Sequence, residues 1–148
     1  MSTQRKRIIF WLSAGAVVTV LTFAGWWLHE VNQVLKGKAP VSCDEAARFL
    51  AAAHPPETAR NKKCTVGQWQ TTWYNIDFQT SRAEAEAWLR STYPDATVSR
   101  DCVEAGLCAY PAAPADGSDN GNADYLSVHI RFEDSDSAHV NVSGGTST

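Results

Sequence analysis

The longest unbroken apolar pattern in the chain runs from Ile8 to Leu28, IIFWLSAGAVVTVLTFAGWWL, and contains no charged residue. As a helix it is long enough to cross the roughly 30 Å hydrocarbon core of a bilayer. Arg5, Lys6 and Arg7 stand directly before it. The bias of basic residues toward the cytoplasm therefore places the N-terminus inside and the rest of the chain outside. Lys36 and Lys38 on the far side make that bias modest. Trp11, Trp26 and Trp27 lie near the two ends of the run, where interfacial aromatics sit. Its small residues, Ala14, Gly15, Ala16, Ala24 and Gly25, do not make a GxxxG pairing motif. The competing reading is a cleaved signal peptide, but the run exceeds the usual h-region and no good small-x-small site follows it. Val41-Ser42-Cys43 faintly resembles a lipoprotein cleavage site, yet Pro40 precedes it and the apolar run ends far upstream. An uncleaved signal-anchor is expected, spanning residues 8–28 after a short cytoplasmic stretch, 1–7.

Beyond the run the periodicity changes several times. Val31, Val34 and Leu35 continue at helical spacing until Gly37 and Pro40 break it, so residues 29–41 read as a juxtamembrane tether. Ser42 and Glu45 form a capping box. The helix after it presents Ala46, Phe49, Leu50 and Ala53 on one face and is expected to stop at Pro55-Pro56. Arg60 to Lys63 read as a solvated basic loop. Thr65 to Thr80 is rich in β-formers, with Tyr74, Ile76 and Phe78 alternating with Asn75 and Asp77. Trp69 and Trp73 fall on the opposite parity. Either a bulge near Thr71-Thr72 shifts the register, or both indoles lie on the outer face as a binding patch for a partner or glycan. Ser81 and Glu84 make a second capping box, opening a helix with Ala85, Trp88 and Leu89 on one face and an end before Pro94. Short strands are expected at 96–103 and 107–110.

The cleanest alternation comes last. Leu126, Val128, Ile130 and Phe132 point one way, with Tyr125, Ser127, His129, Arg131 and Glu133 the other; Ala138, Val140 and Val142 alternate with His139, Asn141 and Ser143. Pairing Phe132 with Ala138 across the acidic turn at 134–136 sets Arg131 beside His139 and His129 beside Asn141. That polar face is a candidate binding surface through His129, Arg131 and His139. The same pattern is also what a solvated sheet face gives. Residues 144–148 read as a disordered tail.

Composition narrows the chemistry. Three of the 13 basic residues precede the apolar run and all 16 acidic residues follow it, so the outer part carries a formal charge of −6. Such a domain has little to offer nucleic acid, and none is expected as a partner. All four cysteines fall in the outer part. An even count outside the cytoplasm implies disulfides, with Cys43–Cys64 and Cys102–Cys108 the favoured pairing of three. No CxxC pair or His/Cys cluster suggests zinc. Within the loop 111–124, Asp116, Ser118, Asn120, Gly121 and Asp124 match several positions of a calcium loop. Ser127 stands where its bidentate Glu belongs, and no metal is assigned. Asn141-Val142-Ser143 is a formal glycosylation sequon. There is no HExxH, P-loop, nucleophile elbow or dinucleotide fingerprint, so no catalytic residue or cofactor is expected and the chain reads as a non-enzyme.

The expected fold is α+β: one transmembrane helix, then a disulfide-stapled domain over 42–143 with a mainly antiparallel sheet and two helices. The element order loosely resembles a ferredoxin-like split β-α-β layout with an extra N-terminal helix. The expected role is a membrane-anchored extracytoplasmic interaction module, an accessory subunit or immunity-type protein. Its expected partners are the lipid bilayer, through residues 8–28, and another envelope or membrane protein. The alternative is a domain sensing a small ligand or ion through the His129/His139 face or the Asp116–Asp124 loop.

Overall fold

Three helices and seven strands appear in the computed structural model, which describes residues 3–102, 106–112 and 123–146, with side chains from Val17 onward. The chain divides into two units, at Gln33/Val34. The first is most of α1 (Thr3–Leu35). From Val17 to Leu28 its apolar side chains are exposed; Val17, Phe23, Trp27 and Leu28 each leave more than half their surface open. Among the described residues, no helix is long and apolar enough to cross a membrane. The first part of the Ile8–Leu28 run lies ahead of Val17, outside the described side chains, so the structure does not carry the transmembrane assignment.

The second unit is α+β with one antiparallel sheet and both expected disulfides, Cys43–Cys64 and Cys102–Cys108. Its elements are β1 (Ala39–Pro40), α2 (Cys43–Phe49), β2 (Arg60–Gln68), β3 (Thr72–Ser81) and α3 (Arg82–Thr92), followed by β4 (Val98–Ser99), β5 (Leu107–Ala109), β6 (Tyr125–Phe132) and β7 (Ser137–Gly145). The strand order is β1-β2-β3-β7-β6-β5-β4, antiparallel at every pairing. β3, α3 and β4 make a split β-α-β crossover, with three strands, β7, β6 and β5, lying between its two strands. β3 and β4 run parallel but lie at separate places in the sheet. α3 carries the chain from β3 to the far edge, and β4 to β7 return as a meander that docks β7 beside β3.

The Ser81–Glu84 capping box is complete as the spacing predicts, whereas at Ser42 only the N-cap half forms and the Glu45 carboxylate accepts from the Tyr74 hydroxyl. The Ser42 hydroxyl accepts from the Glu45 N–H, and Ser81 and Glu84 satisfy one another reciprocally. α2 nevertheless ends well before Pro55. Ala51 takes the left-handed conformation at φ 49°, its N–H bonding Arg48 O while the Ala52 N–H bonds Ala47 O. These two bonds form a Schellman closure, which glycine usually enables. Here alanine does it, so no glycine marks the stop.

The core lies between one face of the sheet and the two helices. Ala46, Ala47 and Leu50 of α2 and Ala85, Trp88 and Leu89 of α3 pack with Ile76, Phe78, Val128, Ile130, Val140 and Val142. The Phe78 and Trp88 rings meet edge to face at 5.3 Å. Trp88 Nε1 donates to His54 O, and Tyr93 Oη donates to Leu50 O, so both buried polar tips find a partner. Burial pushes the Tyr93 phenol far above its ordinary range.

Three stretches of backbone differ from the sequence reading: residues 60–63, Thr65–Thr80, and the start of the tail expected to be disordered from Gly144. Residues 60–63 are not a loop but the start of β2, with a register shift between Arg60 and Lys63 and Asn61 at φ 51°. Thr65–Thr80 is two strands, because the chain reverses at Trp69–Thr71, where the Trp69 N–H bonds Thr71 O. At the C-terminus, β7 continues through Gly144 and Gly145, pairing Tyr74 and Trp73 on one side and Leu126 and Tyr125 on the other.

Candidate functional site: the outer face of the sheet

Alternation along β2, β3, β7 and β6 sends every second side chain away from the helices. Register then sorts these outward positions into rows that cross the sheet. Gly67, Trp73, Gly145 and Tyr125 form one row; Thr65, Asn75, Ser143 and Ser127 form the next. Lys63, Asp77, Asn141, His129 and Cys108 make the third, and Gln79, His139 and Arg131 the fourth. α2 and α3 both pack on the opposite face.

The sequence placed His129, Arg131 and His139 together, and the structure does bring them onto this face in the expected register: Arg131 opposite His139, His129 opposite Asn141. What sequence could not supply is the strand on the other side of β7. Asp77 of β3 enters the row, accepting from Asn141 Nδ2 at 2.9 Å and lying 3.4 Å from His139 Nε2. The Tyr110 ring meets the His129 ring edge-on at 6.2 Å. The hydroxyls of Ser127 and Ser143 share a hydrogen bond of 2.8 Å. Chemically this is a floor of amides, hydroxyls and imidazoles, able to donate and accept in a plane.

Trp69 and Trp73 do not behave as a pair. Trp69, in the β2–β3 turn, is 70 % exposed. Trp73 is half-buried on the outer face, its indole filling the space beside two glycines. A Cβ built at Gly67 would fall 2.2 Å from Trp73 Cε2, and one at Gly37 would fall 2.4 Å from Trp73 Nε1. Trp73 thus holds the turn that leads into β1 against the sheet. Tyr125 has the same relation to Gly145, where an added Cβ would lie 2.6 Å from its hydroxyl. Tyr125 and Tyr110 remain 51 % and 62 % exposed. The sequence reading gave neither tyrosine a role, because each matters through a residue on another strand.

Elsewhere, a cleft of about 410 Å³ lies near Thr58, Arg60, Glu84, Glu133 and Asp134. Its carboxylates are engaged in the fold. Glu84 accepts from the hydroxyls of Thr80, Thr58 and Ser81 and from the Ser81 N–H, which together bring it down to about 2. Asp134 is lowered by the N–H groups of Asp136 and Ser137, which it holds in the β6–β7 turn. Among the described residues no cluster of His, Cys, Asp and Glu could hold a metal ion. Of the calcium-loop positions, Asp116, Ser118, Asn120 and Gly121 lie outside the described residues.

No protein-family model matches the chain, and neither a curated protein nor a solved structure matches it.

Proposed function

We propose that the chain is a single-pass membrane protein whose extracytoplasmic domain is a non-enzymatic interaction module, an accessory subunit or immunity-type protein serving another envelope or membrane protein. The observation that carries this reading is the outer face: a broad, ordered array of hydrogen-bonding side chains opposite the face that α2 and α3 cover. The membrane part rests on the uncharged run Ile8–Leu28 and its flanking Arg5-Lys6-Arg7. The exposed apolar surface of α1 from Val17 to Leu28 supports it, since such a surface needs lipid or protein around it. Two disulfides support an oxidising compartment for the domain.

Cross-linking and co-purification of the full chain from gently solubilised membranes test the proposal. The expected result is a stoichiometric protein partner, lost from a His129→Ala/His139→Ala variant whose circular dichroism is unchanged. A chain that fractionates away from membranes, or that always purifies alone, overturns it. The Asp77–His139 contact would then favour the second reading, a small-ligand sensor.

A further inference from the structure

We infer that the aromatic end of the outer face is a binding site for an uncharged pyranose oligosaccharide. The inference deepens the proposed function and rests on its reading of the outer face as the binding surface. Three aromatic side chains, Trp73, Tyr125 and Tyr110, frame a floor made by Asn75, Ser143 and Ser127. Tyr125 and Tyr110, each more than half open on an otherwise polar face, are the informative kind of exposure, while Trp73 closes one end of the row.

Tyr125 lies across Gly145 and Trp73 across Gly67, each ring occupying the volume that a Cβ on the neighbouring strand would need. The glycines weaken their strands, and what they permit is a ring resting along the sheet instead of standing from it. In that posture the exposed Tyr125 ring offers a face to a flat ligand, and Trp73, held against Gly37 and Gly67, bounds the site. Across two strand spacings, Trp73 and Tyr125 are about 10 Å apart at the backbone, which suits more than one sugar ring. In the adjoining row, Asn75, Ser143 and Ser127 supply hydroxyl and amide groups without formal charge, matched to the hydroxyl groups of a sugar.

The composition of the face disfavours other occupants. Its first two rows hold no Leu, Ile, Val or Met, so a protein hot spot would have little aliphatic surface to bury. The outer domain's charge of −6 opposes a phosphate backbone.

Calorimetric titration of the solubilised full chain with chitohexaose, cellohexaose and maltohexaose provides the test. At least one should bind, and Tyr110→Ala or Tyr125→Ala should each weaken it about tenfold. Tyr125→Phe should retain it, and unchanged melting temperatures for all three variants would confirm an intact fold. No heat with any of the three sugars overturns the inference, as does binding that ignores both alanine variants. A protein partner captured through His129 and His139 without sugar binding removes this inference and leaves the interaction module standing. Sugar binding without a protein partner keeps the site and removes the accessory role.

Discussion

Glu84 and Gly37 show two ways in which a single residue fixes this domain. The Glu84 carboxylate takes the Thr80, Thr58 and Ser81 hydroxyls and the Ser81 N–H, and these bonds favour its ionised form. Its folded-state value of about 2 lies below the ordinary 4.5, so its contribution is complete above the unfolded value. That contribution is lost as pH falls from about 4.5 through about 2. Melting temperature should therefore decline across that window, and Glu84→Gln should flatten the decline relative to the native chain. A pH profile as steep in the variant as in the native chain would remove Glu84 from this role. Gly37 has φ +67° and a neighbour, Trp73, placed where a side chain would go. Gly37→Ala should cost about 1–3 kcal/mol in chemical denaturation, from the backbone conformation before any clash is counted. Adding Trp73→Ala should relieve only the clash. The Glu84 box was legible because Ser81 lies three residues away; the Thr58 bond, across 26 residues, was not. Gly37 was legible as a breaker, but its contact with Trp73 depends on the pairing of β1, β2 and β3.

At the level of elements, local signals located the starts of helices better than their ends. Ser42 and Ser81 opened α2 and α3 as their spacing predicts. α2 closed early because Ala51 adopted the left-handed conformation usually left to glycine. The β2–β3 turn at Trp69–Thr71 has no Gly, Pro or Asn, and so left no mark in the sequence pattern. The disulfides connect elements that pairing alone joins weakly. Cys43–Cys64 ties the start of α2 to β2 across a separation of 21 residues, whereas Cys102–Cys108 closes only 6. On the loop-closure account, replacing the first pair by Ser should cost about 3 kcal/mol and the second about 2 kcal/mol. Urea unfolding of the two double variants checks that order. An equal or reversed ranking would mean that strain or burial, not loop length, sets their worth.

At the scale of the whole molecule, the sheet is assembled by long-range docking of β7 between β3 and β6. That one placement buries Val140 and Val142 and completes the core. It also lays Asp77 beside His139, Asn75 beside Ser143 and Trp73 beside Gly145 on the other face. The sequence by itself determined the apolar run and its charged flank, the α+β class, the N-caps and the β6–β7 register, and it favoured the cysteine pairing that forms. Each of these depends on residues close in the chain, on periodicity, or on a short list of pairings. Only the tertiary structure decided the strand order, the end of α2, the separate fates of Trp69 and Trp73, and the rows of the outer face. Those follow from which strand lies beside which, and alternation along one strand specifies a face without naming the neighbour that shares it.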